Sequence, residues 1–390
     1  MAKEAFAAAG IFAEGGIETD RLLVVEDGRF IGFDRRENIE SAGMPIHAYE
    51  DCYILPGLFD SHIHGVMGKD TMDASAESLD VIGRYLLSHG ITAWMPTTVT
   101  APLADIENAL RNVAAYQPAE DAARPMGCFV EGPYLTEEHR GAHPTAYLRE
   151  VSAKEFDALL ACGSMKALAL APEKANALAF IDYAKEHGVH ISLAHTSASY
   201  EEAVLAIEHG ADAAVHTYCG MSTMHHRSVN LLGAALTRDD IYAELIADGI
   251  HVSKPAMEVL LRCKPKDKLI LVSDAISAAG LADGDYVLGV ENVHVKGGIP
   301  HTDSGSLAGS TTNLLAEVRR LILELGKNPL DVVHMASLNP SRRFGVEDRI
   351  GSIRGGKLAD FIVVDRAYNL KEVWKDGVMC FRHSGMCMGE

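Results

Sequence analysis

The sequence has no Cys-x-x-Cys pair, no apolar run approaching the thickness of a bilayer, no block of like charge and no low-complexity segment. Its seven cysteines, Cys52, Cys128, Cys162, Cys219, Cys263, Cys380 and Cys387, are odd in number and widely spaced. A disulfide framework and a thiolate zinc site are therefore poor readings, and reduced thiols in a reducing compartment fit best. Basic charge is also scarce. The 35 Lys and Arg stand against 54 Asp and Glu, for a net charge of −19. Nucleic acid and anionic membranes both call for basic surfaces, so neither is expected as a partner. A small anionic substrate needs only a local cluster of donors, which the overall charge does not forbid. The stretch Met1 to Gly10 carries one lysine and an apolar run shorter than a signal core, so a cytoplasmic protein is expected.

What is present is ample material for a core. At 390 residues and 48% hydrophobic content, the chain has room for one large α/β domain and a smaller one. Both ends read as short strands. Arg21 to Val25 and Phe30 to Phe33 flank the turn signal Asp27-Gly28, and Val373-Trp374 and Val378-Met379 flank Asp376-Gly377. The two ends are expected to form one small β domain, residues 1–56 with 350–390, around an inserted middle of 57–349. The middle alternates helical stretches with apolar strand runs. Ser88-His89-Gly90, Glu186-His187-Gly188 and Glu208-His209-Gly210 each end a helical stretch, where glycine closes the helix and histidine meets its last carbonyls. His89, His187 and His209 are accordingly read as structural.

The organising stretch is Leu55 to Gly65, an apolar run that ends in His62-Ile63-His64. On a strand, a spacing of two points both imidazoles to one side. Seven further strand-like runs follow, most ending in chemically competent residues. Among them, Cys128 to Val130 leads to Glu131, His190 to Ala194 to His195, Ala213 to Val215 to His216, Tyr242 to Ala247 to Asp248 with His251 beyond, and Leu269 to Ser273 to Asp274. Eight strand-like runs with reactive groups at their C-terminal ends predict a (β/α)8 TIM-like barrel with its site on that face. His62, His64, Glu131, His195, His216 and Asp274 form a set of nitrogen and oxygen ligands suited to a divalent cation with an open position. A carboxylate such as Glu131 has two oxygens and can bridge two ions. Such a metal lowers the pKa of a coordinated water toward ~7, and Asp274 suits the proton carrier. The Gly/Ser-rich Asp303 to Ser310 is read as a turn opening a helix from Thr312 to Leu325, with an anion-binding nest as the alternative.

These residues carry a resemblance. The chain resembles the amidohydrolase superfamily, most closely its N-acetylglucosamine-6-phosphate deacetylase family. The likeness covers nearly the whole chain and rests on Pro56 to Gly65, Glu131-Gly132-Pro133-Tyr134-Leu135, Arg140-Gly141-Ala142-His143, Ala194-His195-Thr196 and Val215-His216-Thr217. It extends through Asp248-Gly249-Ile250-His251, Val272-Ser273-Asp274-Ala275 and Leu307-Ala308-Gly309-Ser310. Other branches bridge their metals with a carboxylated lysine, and here Glu131 stands at that strand end.

The resemblance implies metal-dependent release of acetate from an N-acetyl amino sugar 6-phosphate. Glu131, His195 and His216 would hold one ion, and His62 and His64, with Asp274, a second. The ions would be Zn, Fe, Mn or Co. Asp274 would be the acid/base and His143 the group polarising the acetyl carbonyl. The implied substrate contacts are His143, Cys219, Gly220, Arg227, His251 and Leu307, in a homodimer whose Arg227 reaches the neighbouring site. Two departures bear on phosphate: Cys219-Gly220-Met221 replaces Asn-Ala-Met, and Arg227-Ser228-Val229-Asn230 replaces Arg-Glu-Pro-Gly. A thiol donates more weakly than an amide. The rival readings are an amidohydrolase for another N-acetylated amino sugar or a cyclic amide, and a non-catalytic oligomeric barrel.

Overall fold

All eight apolar runs form strands in the computed structural model, which describes residues 3–383. They are β1 (Leu58–Ile63), β2 (Ile91–Thr98), β3 (Cys128–Tyr134), β4 (Met165–Leu170), β5 (His190–Leu193), β6 (Ala211–Ala214), β7 (Tyr242–Leu245) and β8 (Leu269–Leu271). Each pairs in parallel with the next in chain order. The first and last meet just past their ends. Asp274 donates its N–H to the His62 carbonyl at 2.9 Å, and His64 donates to the Ala275 carbonyl at 2.9 Å. The circle is a (β/α)8 barrel.

The strands are continuous apolar runs because they are buried on both faces, as parallel strands in this architecture must be. Inside, small residues make room for one another: Ala93, Ala167, Ala169 and Ala194 pack with Phe59, Phe129 and Val215. Outside, Leu58, Trp94, Leu168 and Ile191 lie beneath the helices. The helix Ala76–Ser88 shows how these layers are made. Ser75 caps its first turn, and Leu79, Ile82, Leu86 and Leu87 form its buried stripe. His89 then binds the Tyr85 carbonyl at 2.7 Å through Nδ1. His187 does the same with Tyr183 at 2.8 Å. His209 differs: its Nδ1 pairs with Asp182 at 2.8 Å, because the preceding helix, Ala177–Glu186, offers a carboxylate within reach.

Residues from both ends of the chain form one eight-stranded sheet. Its path runs Val378–Arg382, Leu370–Lys375, Phe361–Asp365, Ile46–Pro56, Glu4–Ala13, Leu22–Glu26, Arg29–Asp34, with Gly16–Glu18 beside Glu4–Ala13. The two Asp-Gly turns are left-handed at both residues, with φ of 48° and 75° at Asp27 and Gly28 and of 51° and 72° at Asp376 and Gly377. The sheet folds over until these turns touch, Gly377 lying against Gly28. Phe6, Phe30, Phe361 and Trp374 fill the space between its halves.

One element has no counterpart in the sequence reading. A three-stranded antiparallel flap, Gly284–Leu288, Glu291–Lys296 and Ile299–Thr302, follows Asp274 and precedes the helix Leu314–Leu323. Among the described residues no helix is long and apolar enough to cross a membrane. The six described cysteines are all free; Cys387 lies outside the described residues, as do Met1 and Ala2.

Candidate active site

The barrel brings His62, His64, Glu131, His195, His216 and Asp274 to one place, each just inside or just past the C-terminal end of its strand. All are buried. Glu131 is the centre. Its Oε1 lies 3.3 Å from His195 Nε2 and 3.1 Å from His216 Nε2. Its Oε2 lies 3.6 Å from His62 Nε2 and 3.2 Å from His64 Nε2. One carboxylate thus stands between two histidine pairs. Asp274 closes the His62–His64 side, its Oδ1 at 3.5 Å and 3.2 Å from their Nε2 atoms.

The strand ends hold this arrangement at a conformational cost. His195, His216 and Asp274 have φ of 44°, 28° and 47°, a region that side-chain-bearing residues rarely adopt and that costs about 1–3 kcal/mol each. Neighbouring elements supply the restraint. The Thr136 N–H and hydroxyl both donate to the His195 carbonyl, at 3.0 Å and 2.8 Å. Ser310 donates its N–H to the Asp274 carbonyl at 2.7 Å. Gly220 packs so closely that a Cβ there would stand 2.8 Å from His195 Nδ1.

The donor set fits a divalent cation. His195 Nδ1 faces the His139 carbonyl at 2.7 Å, and His216 Nδ1 faces the Cys219 carbonyl at 3.2 Å. Carbonyls only accept, so each ring in its neutral form carries its proton on Nδ1 and turns the Nε2 lone pair toward the other ring, the two Nε2 atoms being 3.2 Å apart. Two lone pairs and a carboxylate in one dry spot call for positive charge. On the other side, His62 Nε2 is buried and makes no hydrogen bond. Electrostatics say the same. Burial pushes His64 down, but Asp274 and Glu131 outweigh it and raise the ring to about 9. His62 is likewise raised well above its ordinary value by the Glu131 and Asp274 charges, again against burial, and His216 is raised by Glu131. Glu131 and Asp274 are held below the usual carboxylate range, the histidines around them overriding their burial. Two ligand groupings result, His62 with His64 and Glu131, and Glu131 with His195 and His216.

A pocket of about 280 Å³ opens over these groups. His143 forms one wall, its Nε2 3.6 Å from Glu131 Oε2. Its Nδ1 accepts the Thr100 backbone N–H at 3.3 Å, which leaves the ring proton on Nε2. Burial and the nearby His195 lower this histidine to about 4, so it is neutral above that pH. His251 forms another wall, its Nδ1 held by Asp248 Oδ2 at 2.7 Å. Cys219, Gly220 and Leu307 also line it. Burial, with Asp274 and Asp248 nearby, raises the Cys219 thiol to about 12, so it stays protonated. Ser306, Leu307 and Gly309 come from the Gly/Ser-rich turn and Leu288 from the flap.

Arg227 is not brought to this pocket within one chain. It is exposed, with Nη1 2.8 Å from His226 Nε2, in a separate cleft with Ser199, Tyr200 and Glu201. No lysine or arginine is among the residues lining the catalytic pocket. Two residues join the site beyond those expected from sequence: Thr100, which orients His143, and Glu244, 3.2 Å from His62 Nδ1. Glu244 carried a signal, a charged residue in the middle of an apolar strand.

Carboxylates and imidazoles converging at the C-terminal mouth of a (β/α)8 barrel define a metal-dependent hydrolase. Within that class the chain belongs to the amidohydrolase family, whose model matches residues 53–380. It is 37% identical over 370 residues to an N-acetylgalactosamine-6-phosphate deacetylase of Escherichia coli O157:H7, covering 94% of this chain and 96% of that one. It is 40% identical over 331 residues to an N-acetylglucosamine-6-phosphate deacetylase of Vibrio furnissii, covering 84% and 83%. The structure of N-acetylglucosamine-6-phosphate deacetylase from Pasteurella multocida superposes with a TM-score of 0.91 at 27% identity, covering 97% and 99% of the two chains.

Proposed function

We propose that the chain hydrolyses the N-acetyl group of N-acetylglucosamine 6-phosphate to glucosamine 6-phosphate and acetate. The observation that carries this reading is Glu131 between two histidine pairs, beside Asp274 and a neutral His143, in a chain whose relatives are sugar-phosphate deacetylases. His195, His216 and Glu131 would hold one divalent ion, and His62, His64, Glu131 and Asp274 a second, as Zn, Fe, Mn or Co. When bound, the ion supplies Lewis acidity toward water and the acetyl carbonyl.

The chain's own groups do the rest. Asp274, a carboxylate at working pH, takes one proton from the attacking water. The water oxygen bonds to the acetyl carbon as the carbonyl electrons move to oxygen, where the His143 Nε2–H donates a hydrogen bond. Asp274 then returns the proton to the sugar nitrogen as the C–N bond breaks, releasing acetic acid, which ionises to acetate as its proton passes to the free amine. His251, Cys219, Gly220 and Leu307 would contact the sugar. The pocket's lack of Lys and Arg supports a phosphate grip completed from outside the chain, by Arg227 of a second copy in a homodimer. The free cysteines and the acidic surface suit a cytoplasmic enzyme.

The E. coli O157:H7 relative favours a second substrate, the C4 epimer N-acetylgalactosamine 6-phosphate. Acetate release from both epimers, and from unphosphorylated N-acetylglucosamine, is the test. A higher kcat/KM for N-acetylglucosamine 6-phosphate supports the first reading; the reverse order establishes the epimer, and no release from any of them overturns deacetylation.

A further inference from the structure

A line of buried charge runs through the barrel away from the site, and the reaction itself makes no use of it. His62 Nδ1 lies 3.2 Å from Glu244 Oε2 on β7, and neither residue has any solvent exposure. The other oxygen of Glu244 accepts from Arg343 Nη1 at 2.9 Å. Arg343 ends the helix Leu338–Arg343, beyond the barrel in sequence, yet its side chain is buried inside it. It also donates to Ser192 Oγ at 2.6 Å and to Asp212 Oδ1 at 2.9 Å. His190 and Asp212 lie at the starts of β5 and β6, opposite the end where His195 and His216 sit.

For stability alone, such a row is a poor use of a barrel interior. Burying an ion pair costs several kcal/mol per ion in desolvation, and apolar residues of similar volume often serve as well or better. The row has one chemically active terminus, His62. A neutral imidazole carries one N–H and one lone pair, and a carboxylate can only accept. Facing Glu244, His62 must therefore place its proton on Nδ1 and its lone pair on Nε2, toward Glu131.

We propose that Glu244 is a positioning residue that locks His62 in the Nδ1–H tautomer, so that Nε2 is presented to the metal centre, and that Arg343 fixes Glu244 in that orientation. This rests on the two-ion reading above. Glutamine would break the lock despite its matching shape. Arg343 and the Nδ1–H both require an acceptor, and glutamine has one oxygen. The charged guanidinium makes the stronger hydrogen bond and takes it. The amide NH2 is left facing Nδ1, which drives the proton to Nε2.

The test compares zinc-loaded wild type, Glu244→Gln and His62→Ala after dialysis against metal-free buffer, measuring bound zinc per subunit and its dissociation constants. Wild type should hold two ions. In Glu244→Gln one of them should bind about 10–100-fold more weakly while the other is unchanged. His62→Ala should lose the same ion. Two ions held by Glu244→Gln with wild-type affinity overturn the proposal. One ion in wild type, unchanged in His62→Ala, overturns the two-ion reading instead. The 15N NMR spectrum of zinc-loaded, histidine-labelled wild type, in which the His62 ring is neutral, then decides the role of Glu244, because it reads the tautomer directly, and it decides equally if Glu244→Gln does not fold. A proton on Nδ1 of His62 supports the lock, and a proton on Nε2 overturns it.

Discussion

Thr100 donates its backbone N–H to Nδ1 of His143 across 3.3 Å, and this one contact decides what His143 can do. With Nδ1 engaged as acceptor, the ring offers an N–H at Nε2 and no base. Burial and the neighbouring His195 lower the ring to about 4, so it is a neutral donor through the physiological range. His143→Asn is expected to lower kcat by about 10²–10³, the cost of removing one oxyanion donor. Metal content should be unchanged, since His143 lies in neither ligand grouping. Wild-type kcat in this variant would remove His143 from the reaction.

Much of the site was legible in the sequence because a barrel strand aims its last residues at one mouth. The His62 and His64 period of two, and the single candidate ligands within β3 and after β5, β6 and β8, are consequences of that rule. The terminal sheet was legible at its two Asp-Gly hairpins but not at Glu4–Ala13, whose parallel partner Ile46–Pro56 lies more than thirty residues further on. Long-range pairing leaves no local mark. The same holds for Arg343, which meets Glu244 across 99 residues, and for Thr100, which meets His143 across 43. The flap left a weaker mark because its strands are short: only Glu291–Lys296 alternates buried and exposed residues, while Gly284–Leu288 has one buried residue, Leu288.

Arg227 and Asp274 allow the proposed dimer to be tested by mixing. Arg227→Ala should raise KM for the phosphorylated sugar far more than for the unphosphorylated one. Asp274→Asn should lower kcat by about 10²–10⁴ through loss of the proton carrier. Each homodimer is then impaired at both sites. A mixed dimer has one site with its own Asp274 and the partner's intact Arg227, so co-expression should restore activity well above either variant alone. No recovery in isolated mixed dimers would mean that Arg227 does not act across subunits.

Gly220 is expected to tolerate no side chain. Its φ is +59°, and an added Cβ would lie 2.8 Å from His195 Nδ1, 3.0 Å from His195 Cε1 and 3.2 Å from His216 Cε1. Both rings belong to the candidate ligand grouping with Glu131. Gly220→Ala should weaken metal binding at that position and cost about 1–3 kcal/mol of stability from the left-handed backbone. Calorimetry with and without added zinc separates the two effects. Unchanged zinc affinity would show that the rings have room to move.

Glu317 makes a prediction about pH that does not depend on the metal. It has no solvent exposure and sits on the helix Leu314–Leu323 against β1 and β8, and neither carboxyl oxygen makes a hydrogen bond of normal geometry. Burial pushes it well above the usual carboxylate range, and Asp248 and Asp60 add to that against the pull of the Ala247 N–H. The folded chain therefore keeps this proton at pH values where the unfolded chain, with an ordinary pKa of about 4.3, has lost it. Where the folded state binds more protons, stability falls as pH rises. The contribution of the protonated carboxyl is complete below the unfolded pKa and is lost as pH climbs through the folded one. Glutamine has the same shape and does not titrate. Glu317→Gln should raise the thermal midpoint at pH 8 and raise it less at pH 4, where the wild-type carboxyl is protonated in the folded state and mostly so in the unfolded one. An equal shift at both pH values would mean that Glu317 folds with an ordinary pKa and that its burial is compensated.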